Sequence, residues 1–150
     1  TLAKGIAGGI PMGACLFRGK AKDVFVAGDH QSTFAGNPLA CSAAEIVLDV
    51  VNNEDFLKDV VNKGDYIRNI IKSWDLPIVK DVKGKGLMIG TQIDSSIKPF
   101  DIEVKCLEKG LCTTTAGKDV VRFLPPLTIS YDEIDEGLKI YKKVLEGFCK

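Results

Sequence analysis

The sequence predicts an α/β protein in which glycine-rich loops lead into helices and then into an α+β unit. Residues 5–13 and 28–36 are loop-like and rich in glycine. Residues 37–74 carry apolar side chains at helical spacing, and short alternating apolar runs after residue 76 indicate strands. The chain therefore combines a loop-rich first part with an α+β second part.

The first 36 residues predict little regular structure. Residues 5–13 form a glycine-dense loop, in which the backbone adopts unusual φ values or approaches another group closely. Residues 12–17 suit a buried strand closed by a turn at residues 18–20. A second apolar run, at 24–26, precedes the polar loop at 28–36.

Two helices are expected next. Asn37 as N-cap and Pro38 at the first helical position begin the first helix. Helical spacing predicts that it buries a face made of apolar residues, namely Leu39, Ala43, Ile46, Val47 and Val50. Asn52-Asn53 interrupts the pattern before a second amphipathic helix that ends near Trp74. We place a domain boundary at this interruption, with residues 1–50 before it and 51–150 after it.

The α+β unit begins with two strands. Residues 77–82 and 87–93 are joined by a turn at Gly84-Lys85-Gly86. Alternation places four residues of the second strand on one face: Leu87, Ile89, Thr91 and Ile93. A short helix over residues 101–109 then ends at Gly110, the usual position for a terminating glycine.

A hairpin and a long helix complete the unit. Residues 111–115 and 120–124 are expected to pair across a turn at 116–119, and two prolines end the second strand. Ser130 and Glu133 form a capping box for the final helix. Its apolar stripe has clean helical spacing and consists of Ile134, Leu138, Tyr141, Leu145 and Phe148.

Composition excludes few classes of function outright, but it counts against several of them. The 20 basic residues equal the 20 acidic ones, so no charge bias points to nucleic acid or to an acidic membrane. No apolar run approaches the roughly 20 residues needed to span a bilayer. The five cysteines lack C-x-x-C spacing and there is one histidine, so no metal site is expected. The thiols suit a reducing cytoplasm.

Lys4 is the first candidate for chemistry. Most lysines are solvated surface charges, but Lys4 stands between Ala3 and Gly5, just before the glycine-rich loop. Small neighbours allow a bulky ligand to lie against the amine, and apolar surroundings disfavour its charged form. The free amine can attack an aldehyde to form a Schiff base.

Ser32 and Thr33 are candidates for phosphate binding. They lie in a glycine-bounded loop directly before a helix N-terminus, where hydroxyls, backbone N–H groups and the helix dipole attract anions. In isolation, two turn-forming hydroxyl residues are the simpler interpretation.

Arg122 interrupts an otherwise apolar strand immediately before two prolines. It is either an edge residue whose side chain extends to solvent, or a residue whose planar guanidinium binds a carboxylate or phosphate. Its sequence context leaves both alternatives open. The Gly84-Lys85-Gly86 segment is interpreted as a tight turn, with ligand contact as the less favoured alternative.

Five segments occur in an order and spacing that resemble the second half of the class III (subgroup II, fold type I) aminotransferases, particularly those of the acetylornithine type. The segments are Thr-Leu-Ala-Lys-Gly from Thr1, Gly-Gly-Ile-Pro-Met-Gly-Ala from Gly8, Ser-Thr-Phe-Ala-Gly-Asn-Pro-Leu-Ala from Ser32, Gly-Lys-Gly-Leu-Met-Ile-Gly from Gly84, and Val-Arg-Phe-Leu-Pro-Pro-Leu from Val121. The resemblance covers essentially the whole chain.

The resemblance implies a role for each candidate. Lys4 matches the lysine that binds pyridoxal 5'-phosphate as a Schiff base and moves a proton during transamination. Thr33, with Ser32 beside it, matches the hydroxyl that contacts the cofactor phosphate, supplied across a homodimer interface. Arg122 matches the arginine that pairs with the substrate α-carboxylate. The implied substrates are small amino acids and 2-oxo acids, with transfer from N-acetylornithine or ornithine to 2-oxoglutarate in arginine biosynthesis.

The resemblance also implies a fold: the tail of a large cofactor-binding domain in residues 1–50, and a small domain with an antiparallel sheet packed with helices in 51–150. Three positions depart from common family glycines: Gln31, Ala35 and Ala7. Each adds side-chain atoms near the cofactor loop.

The chain begins inside a family motif and lacks the family's upstream half. We therefore expect a C-terminal fragment that is inactive alone. Alternatives within the family are ornithine, succinylornithine and 4-aminobutyrate aminotransferases, and an alternative of another class is a non-catalytic binding or oligomerisation module.

Overall fold

The structure is a computed structural model that describes residues 1–149. The chain divides into two compact units, Thr1–Leu57 and Lys58–Lys150. The longer elements are, in order, α1 (Pro38–Val51), α2 (Glu54–Ser73), β1 (Val79–Lys85), β2 (Met88–Ile93), α3 (Pro99–Glu108), β3 (Thr114–Ala116), β4 (Val120–Phe123) and α4 (Tyr131–Glu146). Short 3₁₀ helices occupy Lys4–Ala7 and Gly19–Ala21.

The first unit contains little strand structure. Leu2 and Ala14 form an isolated antiparallel bridge, with N···O distances of 2.7 and 2.9 Å. The strand expected over residues 12–17 is wrong, because Ala14 alone is paired and Leu16 and Phe17 are exposed. A strand needs a continuous neighbour for its N–H and C=O groups, and the described first unit offers only Leu2.

Helix α1 begins as predicted. The side chain of Asn37 accepts a hydrogen bond from the Ala40 N–H at 2.9 Å, and Pro38 occupies the first turn. Asn52 ends the helix, and Asn53 accepts from the Phe56 N–H at the start of α2. Short polar side chains therefore define both ends of the helical break.

The buried face of α1 differs from the predicted one. Ala40 and Ala44 are buried, and α1 packs against the 3₁₀ helix Lys4–Ala7. Three of the residues predicted to be buried are exposed: Leu39, Ile46 and Val50. The most buried positions of α1 are therefore small residues, while three of its larger apolar side chains are exposed.

The second unit contains a four-stranded antiparallel sheet in the order β1-β2-β4-β3. The predicted antiparallel sheet packed with helices is confirmed. One face of the sheet is buried, and the shared face predicted for the second strand lies on it. Its residues are at most 3% exposed: Val82, Leu87, Ile89, Thr91, Ile93 and Val121.

Both hairpins differ in detail from the expected ones. Strand β1 continues to Lys85, which pairs with Met88, so the turn contains two residues, and Gly86 takes φ 52° within it. Ala116 pairs with Val120, so three residues rather than four connect β3 to β4.

Helix α4 agrees with its sequence pattern. Ser130 and Glu133 form the capping box, and Ser130 accepts from the Glu133 N–H at 3.2 Å. The apolar stripe is buried at four of its five positions: Ile134, Leu138, Tyr141 and Leu145. Helix α3 contacts α4, β3 and β4, and its Ile102 and Cys106 are fully buried.

Candidate functional site

Lys4 directly follows the bridge between Leu2 and Ala14 and begins a short 3₁₀ helix. Its φ is 59°, a left-handed backbone conformation that costs a residue with a Cβ about 1–2 kcal/mol. The side chain is exposed and, within residues 1–149, takes part in no ion pair or side-chain hydrogen bond. The apolar enclosure expected around the amine is therefore not provided by the described residues.

The glycine-rich loop and the Ser32 loop share a cleft of about 390 Å³. One side consists of residues 11–13, and the other is formed by the loop before α1 and the first turn of α1, including Ser32, Asn37 and Cys41. Folding of the first unit therefore brings two of the recognised motifs together. Lys4 does not line this cleft.

Ser32 and Thr33 line an adjoining open cavity of about 590 Å³ with His30, Gln31 and Ala35. Both hydroxyls are exposed, and among the described residues neither makes a side-chain hydrogen bond. They are free to donate to an anion.

The N-terminus of α1 contributes less to this cavity than the sequence suggested. Pro38 has no N–H, Asn37 accepts from the Ala40 N–H, and the Cys41 N–H bonds to the Asn37 carbonyl. Most donors of the first turn are therefore satisfied within the helix. The hydroxyls and the helix dipole remain as the means of holding an anion.

The three departures from family glycines lie in different surroundings. Gln31 and Ala35 are exposed and line the open cavity. Ala7 is 1% exposed and belongs to the 3₁₀ helix that packs on α1. The methyl of Ala7 therefore contributes to the interior of the first unit.

Arg122 lies on β4 in the second unit, paired with Gly90 of β2 and Thr114 of β3. Its neighbours along the strand point to the other face, where Val121 is fully buried. The Nε of Arg122 donates to the Thr114 hydroxyl at 3.3 Å. Arg122 is partly buried and forms no ion pair within residues 1–149. Thr114 was not among the predicted site residues.

The Gly84-Lys85-Gly86 segment packs on α2. A Cβ on Gly64 would lie 2.2 Å from the Gly86 carbonyl oxygen, and the same oxygen accepts from Arg68 Nη1 at 3.1 Å. Lys85 is exposed. These contacts support the tight-turn interpretation, since glycines at both positions allow the turn and the helix to touch.

Other kinds of site find little support in residues 1–149. No group of three histidine, cysteine, aspartate or glutamate side chains there could hold a metal ion. In the same part of the chain, no helix is long and apolar enough to cross a membrane.

The sequence profile described as "Aminotransferase class-III" matches residues 1–145. The chain belongs to the class III aminotransferase family. Its sequence is 45% identical over 147 residues to the acetylornithine aminotransferase of Caldanaerobacter subterraneus, covering 97% of this chain and 37% of that protein. The mitochondrial acetylornithine aminotransferase of Saccharomyces cerevisiae is 38% identical, covering 98% of this chain and 35% of that protein.

Solved structures of the family have the same fold. The ornithine aminotransferase of Toxoplasma gondii ME49 matches with a TM-score of 0.83 and 30% identity, over 97% of this chain and 36% of that one. The acetylornithine aminotransferase of Elizabethkingia anophelis matches with a TM-score of 0.73 and 30% identity, over 85% of this chain and 34% of that one. The fold assigned from the resemblance, part of a fold type I transferase, is therefore confirmed. The chain spans somewhat over a third of its curated relatives.

Proposed function

We propose that this chain is the C-terminal part of a pyridoxal-phosphate-dependent aminotransferase that moves an amino group from N-acetylornithine or ornithine to 2-oxoglutarate. The observation that carries the proposal is Lys4: an exposed, unpaired lysine held in a left-handed backbone conformation at the start of the family-matched segment. Acetylornithine as donor is supported by the relatives, which are acetylornithine aminotransferases. We place the enzyme in arginine biosynthesis and in the cytoplasm, where its free cysteines remain reduced.

The residues present fit pyridoxal phosphate. The phosphate needs hydrogen-bond donors, and Ser32 and Thr33 present two hydroxyls without protein partners in an open cavity. An aldehyde needs a reachable amine, and the Lys4 side chain is exposed. A structure of the Toxoplasma gondii ornithine aminotransferase, 30% identical to this chain, contains the cofactor at partial occupancy in its active site.

Each residue then has a defined task. When bound, the cofactor would supply an electron-withdrawing ring that makes the proton on the amine-bearing carbon of the substrate acidic, which is Cδ in N-acetylornithine because its α-amine is acetylated. Lys4 Nζ would hold the cofactor and, once released from it, would accept the proton from the amine-bearing carbon of the substrate. Thr33, with Ser32 beside it, would hold the phosphate of the partner's cofactor in a homodimer, and Arg122 would orient the substrate through its carboxylate.

Dimerisation is part of the proposal. In a homodimer, Thr33 would serve the partner's cofactor, which accounts for its exposure in the single chain. The substrates would be amino acids and 2-oxo acids, without nucleic acid or membrane. The isolated chain would be inactive, because it spans somewhat over a third of the relatives' length.

Ornithine as the amino donor is the second candidate. The Toxoplasma gondii structure with a TM-score of 0.83 is an ornithine aminotransferase. Arg122 suits both donors, because each has an α-carboxylate. Comparing the two donors as substrates of the complete enzyme would distinguish the candidates.

The test of cofactor attachment uses the purified chain. It would be titrated with pyridoxal phosphate, reduced with borohydride and mapped by mass spectrometry. We expect labelling to concentrate at Lys4 and to disappear there in Lys4→Arg, whose guanidinium forms no Schiff base. Lys20, which is exposed in the same unit, is the internal control and should label weakly. Equal labelling of Lys4 and Lys20 would contradict a preformed site and favour a non-catalytic module.

A further inference from the structure

Arg122 lies between two strands that offer it very different neighbours. In the register of the sheet it faces Gly90 on β2 and Thr114 on β3. Residues directly opposite each other in antiparallel strands project to the same face. The guanidinium therefore has a hydroxyl on one side and no side chain on the other.

Thr114 occupies one particular donor of the guanidinium. Arginine has five N–H groups, one on Nε and two on each Nη. The single Nε–H points to the Thr114 hydroxyl at 3.3 Å, and this is the only hydrogen bond of the Arg122 side chain within residues 1–149. The four N–H groups on the two Nη atoms remain available.

Engagement of Nε restricts how a carboxylate can bind. A carboxylate binds arginine through two parallel hydrogen bonds, either from both Nη atoms or from Nε and one Nη. With Nε bonded to Thr114, the pair of Nη atoms is the end left for the carboxylate. The hydroxyl also limits rotation of a long side chain, which reduces the entropy lost when a ligand binds.

Gly90 keeps the other side of Arg122 clear. A Cβ on Gly90 would lie 2.9 Å from Val120 Cγ1, closer than real Cβ atoms approach. A side chain at position 90 would therefore displace Val120, and Gly90 itself projects no side chain beside Arg122. Of the two residues directly opposite Arg122, Thr114 is the one with a side chain, and it makes the hydrogen bond to Nε.

We propose that Thr114 is a positioning residue for substrate binding: its hydroxyl holds Arg122 Nε so that both Nη atoms present themselves to the α-carboxylate of an amino acid or 2-oxo acid. The inference rests on the proposed role of Arg122. The hydrogen bond from Arg122 Nε–H to Thr114 can be tested without a ligand. Its effect on substrate binding is tested by the affinity for a carboxylate.

The test uses the ¹⁵N-labelled 150-residue chain. The sequence contains three arginines, so the Nε–H signals are few enough to assign by substitution. Water exchange of the Arg122 Nε–H is measured first. Dissociation constants are then measured for L-ornithine and for putrescine, which has the same two amines without the carboxylate. The variants are Thr114→Val, Thr114→Ser and Thr115→Val, the last a matched change whose side chain projects to the opposite face.

In Thr114→Val we expect Nε–H exchange to accelerate and the L-ornithine dissociation constant to rise, each about fivefold, as for loss of one hydrogen bond. Thr114→Ser should restore both values, while Thr115→Val and putrescine binding should not change. Unchanged exchange and affinity in Thr114→Val would overturn the positioning role while leaving Arg122 in place. If Arg122→Gln binds L-ornithine as the unmodified chain does, or if the unmodified chain does not prefer L-ornithine to putrescine, the proposed role of Arg122 fails and Thr114 loses its function with it.

Discussion

Gly64 is the position where one added methyl group is expected to disturb the second unit most clearly. It lies inside α2, against the turn that joins β1 to β2. A Cβ built there would lie 2.2 Å from the Gly86 carbonyl oxygen and 2.6 Å from its carbonyl carbon. Both are backbone atoms, so no side-chain rotation relieves the overlap. Gly64→Ala should therefore push the turn away from the helix.

Three contributions, one stabilising and two destabilising, determine the magnitude. Alanine is favoured over glycine inside a helix by about 1 kcal/mol. Overpacking costs about 1–3 kcal/mol. Displacement of the turn also breaks the hydrogen bond from Arg68 Nη1 to the Gly86 oxygen, which contributes about 1 kcal/mol. We therefore expect the free energy of unfolding to fall by about 2 kcal/mol.

Gly137 provides a matched control. It also lies inside a helix, α4, but a Cβ there would lie 3.4 Å from Leu111 Cδ1, the end of a side chain that can move. Gly137→Ala should therefore show the helix preference alone and raise the free energy of unfolding by about 0.5–1 kcal/mol. The pair separates backbone overlap from helix propensity.

Urea denaturation measures both variants. Trp74, the single tryptophan, lies in the second unit and reports on its unfolding by fluorescence. In thermal unfolding followed by the same fluorescence, Gly64→Ala should lower Tm by about 8–16 °C for a unit of this size. A Gly64→Ala protein as stable as the unmodified chain would refute the contact between α2 and the turn.

Two further outcomes are expected. Ser130→Ala should lower the free energy of unfolding by about 1 kcal/mol in urea denaturation, because it removes the N-cap of α4. Hydrogen bonds from the backbone and hydroxyl of Ser130 hold the pKa of Glu133 below its ordinary value of 4.5. The difference in free energy of unfolding between the unmodified chain and Ser130→Ala should therefore shrink as pH falls below 4.5. A difference that stays constant with pH would contradict this. Burial raises the pKa of the Cys106 thiol to about 11. A thiol reagent at pH 8 should therefore label exposed Cys112 but reach Cys106 only after denaturation. Equal labelling rates of the two cysteines, measured by mass mapping, would contradict the packing.

The second unit was predictable because its patterns have a single physical solution. Ile89, Thr91 and Ile93 alternate with less buried residues, and a half-buried strand is the structure with that period. Ser130 and Glu133 satisfy each other only at a helix start. In both cases the partners lie within a few residues of one another, so local sequence contains the whole interaction.

The first unit shows what periodicity leaves open. Both faces of α1 are apolar, and spacing alone does not say which face meets a neighbour. Ala40 and Ala44 are the buried residues of α1, which packs against the 3₁₀ helix, while Ile46 is 68% exposed. The same limit applies to Leu16 and Phe17, whose apolar character suggested a strand for which residues 1–57 provide no partner beyond Leu2.

The length of the connection between β3 and β4 determines which threonine lies opposite Arg122. The expected turn of four residues would pair Arg122 with Thr113. The observed three-residue connection pairs it with Thr114 instead and leaves Thr113 buried. Because side chains alternate between faces, a shift of one residue exchanges the two threonines between the core and the face that bears Arg122.

The backbone conformation of Lys4 is an observation that residue type and sequence neighbours did not provide. A left-handed φ of 59° would cost glycine almost nothing, yet lysine occupies the position at about 1–2 kcal/mol. Within residues 1–149 no ion pair or side-chain hydrogen bond holds the amine, and its side chain is exposed. The proposed Schiff-base role of Lys4 would give a reason for a lysine at this position. Under that proposal, the cost of the left-handed conformation is backbone strain of the kind found at functional positions.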